Sequence, residues 1–205
     1  MAEESLTGTK ELIFDTAIEM IATVGFENMS MRDLASAVGI KTSSLYSHFA
    51  GKQEILDSIY DYFCEHYLDN RLPAEESRRV FKTGSREEMF KTMMFDFVSK
   101  DEKKYKRMVL ATKIVMMRIF NDERANRVFL EITCDKTAEI TKDLLEYGIS
   151  AGRLENFDVD TYSSFLIGML FFMGIKAFAR PDYAVGQLDE EKRIGKMLMD
   201  ILPLK

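Results

Sequence analysis

Two histidines, His48 and His66, and two cysteines, Cys64 and Cys134, are all the chain offers of those residue types for acid–base, nucleophilic or metal chemistry. Cys64 and His66 stand two residues apart, on different faces of a helix, and neither cysteine sits in a CxxC or Cys/His cluster, so no metal site is expected. There is no glycine-rich phosphate loop, no HExxH and no GxSxG, and the paired acids Glu75-Glu76 and Glu190-Glu191 read as solvated surface. Neither an enzyme nor a cofactor is expected. A polar but weakly charged group remains in Lys41, Thr42, Ser43, Ser44, Tyr46, Ser47, His48 and Lys52, with Ser30 and Arg32 just upstream. Hydroxyl side chains can donate or accept hydrogen bonds, and lysine and arginine bring charge.

The elements that would position these residues are helices. Ile13, Phe14, Ala17, Ile18, Ile21 and Val24 fall in a 3.6-residue rhythm, and Gly25 then ends the first helix. Ser30 can cap a second helix, in which Met31, Leu34, Ala35 and Val38 recur at i, i+3, i+4 and i+7, and Gly39 stops it. A third segment, Lys41 to Phe49, buries Leu45 and Phe49 and leaves Thr42, Ser43, Tyr46 and Ser47 on other faces. Lys52 opens a longer helix with Ile55, Leu56, Ile59, Tyr60 and Phe63 inward, ending near Arg71 to Pro73. Two short helices joined by a glycine-containing turn form the pattern of a helix-turn-helix, whose second helix enters the major groove.

Bulk properties agree with an all-α chain. At 205 residues, with 46% apolar and 30% charged side chains and only three prolines, the chain can bury a sizeable helical core. Met1 to Lys10 carries two glutamates and leads into an amphipathic segment, so the chain is expected to stay in the cytoplasm. The apolar run Phe165 to Ile175 is shorter than the roughly 18 to 20 residues that span a bilayer, and it reads as a buried helix. The net charge is −6, and residues through Tyr62 already account for it, with four Lys/Arg against ten Asp/Glu. Between Asn28 and Lys52 the sign reverses, leaving a local positive strip of Arg32, Lys41 and Lys52 against Asp33. The acidic first helix either opposes non-specific binding to nucleic acid or is plain solvated surface.

The run from Gly25 to Ile40, continued by Lys41-Thr42-Ser43-Ser44-Leu45-Tyr46-Ser47-His48-Phe49-Ala50-Gly51-Lys52-Gln53-Glu54-Ile55-Leu56, resembles the signature of TetR-family transcriptional regulators. Its most specific part is Leu45-Tyr46-x-His48-Phe49-x-x-Lys52, and close similarity covers residues 10 to 60. The resemblance implies a three-helix helix-turn-helix DNA-binding domain at 9–55 and a larger helical ligand-binding and dimerisation domain at 56–205. It places Tyr46 and Lys52 on phosphates, and Thr42, Ser43, Ser44, Ser47 and His48 at or near the groove, with Ser30, Arg32 and Lys41 beside them. Where the family usually has a hydroxyl cap on the recognition helix this chain has Lys41, which either leaves the cap to Thr42 or water or reaches a phosphate itself. His48 has two open roles, groove contact or packing under the next helix beside Phe49.

Past residue 60 the sequence is legible mainly as helices. Ser85 to Phe97 and Met108 to Phe120 are dense in Met and Phe and are expected to face one another. Methionine is flexible and polarizable, so a cavity lined with it adapts to several apolar shapes. With the family resemblance this suggests a pocket for a small apolar or amphipathic ligand, lined by Phe63, Met93, Met94, Phe97, Met116, Met117, Phe120, Phe165, Met169, Phe172 and Met173. Asp122 to Ser150 reads as one long helix ending at Gly148 or Gly152, and Asp158 to Arg180 as another, carrying Ser164, Gly168 and Gly174. By resemblance these two helices pair with their copies in a homodimer that reads a palindromic operator, and ligand changes the spacing of the heads. Repression is the family expectation. The rival reading is a helical protein-interaction module that keeps the head and no longer reads DNA specifically.

Overall fold

The structure is a computed structural model and describes residues 8–68, 74–94, 101–179, 193, 196–198 and 200–205. Along the chain run α1 (Gly8–Val24), α2 (Met31–Val38), α3 (Thr42–Tyr46), α4 (Lys52–His66), α5 (Ala74–Thr83), α6 (Arg86–Met94), α7 (Glu102–Arg118), α8 (Glu123–Val128), a π-helical segment (Phe129–Lys136), α9 (Thr137–Ser150) and α10 (Val159–Phe178). No strand occurs among the described residues. Leu154 and Leu204 form a single antiparallel bridge.

The chain folds into two compact units. Met1–Asp69 joins Ser99–Phe129 in the first, and Asn70–Val98 joins Leu130–Lys205 in the second. In the first, α1 buries Ile13, Phe14, Ala17, Ile18 and Ile21 against α2, α4 and α7. Gly25 follows with φ +86°, a left-handed conformation that glycine adopts without steric cost. Ser30 caps α2 by accepting from the Asp33 backbone N–H at 3.1 Å, and Gly39 closes it while Ile40 N–H returns to the Ala35 carbonyl. The recognition segment is shorter than its expected Lys41–Phe49 span. Only Thr42–Tyr46 is α-helical, and the Ser47 hydroxyl donates to the Ser44 carbonyl at 2.7 Å, a local bond that competes with further helix.

Further along the first unit, α4 ends at His66, not near Arg71 to Pro73, and residues 69–73 lie outside the described ones. α7 is capped by Asp101, whose carboxylate accepts from the Lys103 and Lys104 backbone N–H groups. It packs on α1 and α4, and α8 packs on α4 as well.

In the second unit, α9 is flanked by α5 and α10, and Phe81, Met89, Met93, Leu145, Leu154 and Leu166 close its core. Gly148 does not terminate a helix. It is buried within α9, and a Cβ there would meet the Leu154 side chain at 2.8 Å, so this position needs the missing side chain for close approach. The turn belongs to Gly152 at φ +73°.

The expected single helix from Asp122 to Ser150 is three segments. Asp122 caps α8, the next eight residues widen to π geometry, and α9 begins at Thr137, whose hydroxyl donates to the Ile132 carbonyl at 3.2 Å. An apolar rhythm does not distinguish i+4 from i+5 bonding over so short a stretch. Of the Met-rich helices, α6 packs on α5 in the second unit, and α7 packs on α1, α4 and α8 in the first.

Candidate nucleic-acid interface

Leu45 and Phe49 point inward and are fully buried, which fixes the other side of α3 outward. Lys41, Ser43, Ser44 and Ser47 are exposed, Tyr46 is 52% exposed, and Thr42 and His48 are half-buried. The segment therefore presents four hydroxyls on a surface with one adjacent cation, Lys41, which makes no side-chain cap. Ser30 and Arg32 at the start of α2 are exposed too, although the Ser30 side chain is engaged, accepting from Asp33 N–H and donating to its carboxylate at 2.5 Å. Such a face can donate to phosphate oxygens and exchange hydrogen bonds with base edges.

Lys52 stands differently. Its Nζ donates to the carbonyls of Phe26 at 3.2 Å and Glu27 at 3.4 Å, and it lies 4.6 Å from the centroid of the Phe26 ring. An ammonium has three donors, and two of them serve the α1–α2 turn. The spacing of the motif shows a cation at the start of α4 and gives no sign of this second duty, which joins residues 26 apart.

The acids of α1 also have a structural role that their sequence does not announce. Glu11 and Asp15 pair with Arg107 and Lys103, and Glu19 pairs with Lys106, all on α7. Ser99–Phe129 carries nine Lys/Arg against four Asp/Glu, so α7 and α8 supply the charge that the acidic head lacks. These pairs hold part of the α1 acidity against α7, with Glu19 and Lys106 both remaining more than half exposed. On α8, Arg124 reaches Asp57 at 2.7 Å and Asp61 at 2.5 Å on α4.

Below the turn, Asp122 accepts from the Tyr60 hydroxyl at 3.1 Å and from Arg118 at 3.2 Å while capping α8. Burial works to raise its pKa, but the backbone N–H of Ala125, Tyr60 and Arg118 outweigh it and hold the carboxyl below the usual range. Burial, and then the Asp122 charge, push the Tyr60 phenol up, so it stays a donor.

The expected ligand residues fall in both units. Phe63 is sealed in the core of the first, where Met116 is half-buried, Met117 exposed and Phe120 almost fully exposed. In the second, Met93 is buried, Met169 and Met173 are half-buried, and Phe165 and Phe172 are exposed. The side chain of Met94 and all of Phe97 lie outside the described residues. A cleft of about 170 Å³ in the first unit is lined by Ile21, Gly25, Phe26, Ile114, Met117 and Arg118, and takes only Met117 from the expected set. No group of three or more His, Cys, Asp or Glu that could hold a metal occurs among the described residues.

Comparison with known proteins meets this geometry at the head. Residues 13–59 match the model of the bacterial regulatory proteins of the tetR family, a span running from the first buried residue of α1 through the hydroxyl face to Ile59. Over that span the head is similar to the TetR family. Over 99 residues it is 28% identical to the biofilm operon icaADBC HTH-type negative transcriptional regulator IcaR of Staphylococcus aureus (strain Newman), covering 48% of this chain and 50% of that one. The chain thus spans about half the length of the curated relatives it matches. Among solved structures it is similar to KstR2, a ketosteroid transcriptional regulator of Mycobacterium tuberculosis (TM-score 0.65, 20% identity, 100% of this chain and 99% of that one). It is also similar to AibR in complex with isovaleryl coenzyme A and operator DNA (TM-score 0.63, 19% identity, 97% and 100%). At these identities the structures establish the fold alone, an N-terminal helix-turn-helix followed by a helical domain, across the chain and not only its head.

Proposed function

We propose that the chain is a ligand-responsive transcriptional regulator, a repressor that binds a palindromic operator as a homodimer and is not an enzyme. The observation that carries this is the exposed hydroxyl face of α3, held outward by buried Leu45 and Phe49 within the span that matches the family. Tyr46, Lys41 and Arg32 would hold phosphates, and Ser43, Ser44, Ser47, Thr42 and His48 would lie along the groove, with Ser30 beside them as the cap of α2. Lys52 would share its remaining donor with a phosphate while it braces the turn. Functionally, residues 9–55 form the DNA-binding part and 56–205 the sensing and dimerising part, acting in the cytoplasm.

Support for the dimer comes from α10, where Phe165, Phe172 and Ile175 are exposed in the single chain and a Cβ on Gly168 would meet nothing within 4 Å. A second copy would bury this apolar stripe. The ligand class, small and apolar or amphipathic, draws on the Met- and Phe-rich second half and on AibR, whose complex contains isovaleryl coenzyme A. Phe63, Met93, Met94, Phe97, Met116, Met117, Phe120, Phe165, Met169, Phe172 and Met173 remain candidates for contact with it, Phe165 and Phe172 equally for the dimer face. A head with only four Lys/Arg through Tyr62 also supports a second reading, an interaction module whose head no longer reads DNA.

Selection of bound fragments from genomic DNA by the purified protein, followed by fluorescence anisotropy on the winning duplex at two salt concentrations, separates the two readings. A palindrome bound by the wild type and lost in Tyr46→Ala supports the regulator. Enrichment no better than random DNA supports the module.

A further inference from the structure

The Phe26 ring, buried in the turn between α1 and α2, lies 4.6 Å from the Lys52 ammonium and 4.6 Å from the Arg118 guanidinium. These two cations come from the first residue of α4 and the last residue of α7. An aromatic face attracts a cation, and a ring shared by two of them ties three elements at one point. Lys52 is held by carbonyl dipoles and Arg118 by carboxylates. Lys52 donates to the Phe26 and Glu27 carbonyls, while Arg118 pairs with Glu27 at 3.3 Å and Asp122 at 3.2 Å. Asp122 in turn accepts from Tyr60 on α4.

We propose that Phe26, gripped by Lys52 and Arg118, is the joint that fixes the helix-turn-helix to the end of α7, and that Arg118 is a positioning residue for DNA binding. The Lys52 contacts close the segment from Phe26 to Lys52 into a loop, and α2 and α3 lie inside it. The recognition segment is therefore placed by the base of this loop, and Arg118 anchors that base to α7. A displacement of the α7 terminus reaches α3 through Phe26 without any change in the residues that face DNA. The affinity part of the proposal rests on the DNA-binding reading above, and the mechanical part does not.

The test uses the full chain as wild type, Arg118→Met, Arg118→Lys and Phe26→Leu, with Arg107→Met as a control that breaks another partly buried ion pair on the same helix. Amide hydrogen exchange of residues 26–49 is measured well below the melting temperature and expressed relative to the buried core of α4 in the same variant, so that a change in global stability cancels, and affinity is measured on the duplex selected by the wild type. Arg118→Met and Phe26→Leu should speed exchange in this segment about tenfold, with Arg118→Lys intermediate and Arg107→Met close to wild type. Affinity should fall about tenfold with the salt slope unchanged, because no phosphate contact is lost. Wild-type exchange in both Arg118→Met and Phe26→Leu overturns the joint, as does an equal rise in Arg107→Met. A salt slope reduced by about one in Arg118→Met overturns the positioning role in favour of direct phosphate contact. If Arg118→Met does not fold, Phe26→Leu and Arg118→Lys carry the same comparison. If the wild type selects no duplex, the DNA reading fails and the exchange measurement alone decides the joint.

Discussion

Arg107 and Asp15 meet as a fork: Nε reaches Oδ1 at 2.5 Å and Nη2 reaches Oδ2 at 2.9 Å, with the Arg107 side chain only 12% exposed. The same guanidinium takes Glu11 at 2.6 Å, so one residue of α7 closes the seam against two acids of α1. Removing it leaves two partly buried carboxylates with the more exposed Lys103 as their remaining shared partner. Arg107→Met should destabilise the protein by about 1–3 kcal/mol, read as a lower urea midpoint with an unchanged slope. A midpoint within error of the wild type would show that the fork adds nothing to stability.

Asp122 gives the pH dependence its sign. Its carboxyl is held below the usual range in the folded state, so its contribution is fully present above the unfolded pKa near 4 and is lost as pH falls through the lower folded value. Wild-type stability should therefore drop below about pH 4 more steeply than that of Asp122→Asn, measured by urea melts from pH 6 to pH 3. Parallel curves would remove Asp122 from the account of acid sensitivity.

Ser30 separates a structural duty from a functional one. Its hydroxyl caps α2, and replacing such a cap by alanine costs about 1 kcal/mol. Ser30→Ala should lower stability by that amount, with the salt dependence of DNA binding unchanged. Unaltered stability would mean that water replaces the cap.

Phe172 tests the dimer face. Because it is 50% exposed in the single chain, Phe172→Asp should leave each protomer folded by circular dichroism while shifting sedimentation from dimer toward monomer. A wild-type sedimentation profile would place the interface elsewhere.

The head was legible because its signals are local. Buried Leu45 and Phe49 at helical spacing, the Ser30 cap and the turn glycines each act within a few residues, and all stand in the structure as read. The exposure of Tyr46 and the serines follows from the same periodicity. Lys52 on Phe26, Arg118 on the opposite side of the sequence and the α1–α7 ion pairs were not legible, because they join residues 26 to 96 positions apart and nothing local marks a charge as paired. The π-helical segment was hidden for another reason, since its apolar residues fit an α-helical rhythm closely enough to be taken for one.

The most direct measurement is anisotropy on the selected duplex in three forms: intact, with its half-sites moved apart by about five base pairs (half a helical turn), and scrambled. The account predicts tight binding of the wild type to the intact form alone, with Tyr46→Ala weakened at least tenfold on it. Equal binding to all three forms, or a Tyr46→Ala protein that binds like the wild type, would contradict a two-headed reader of a palindrome.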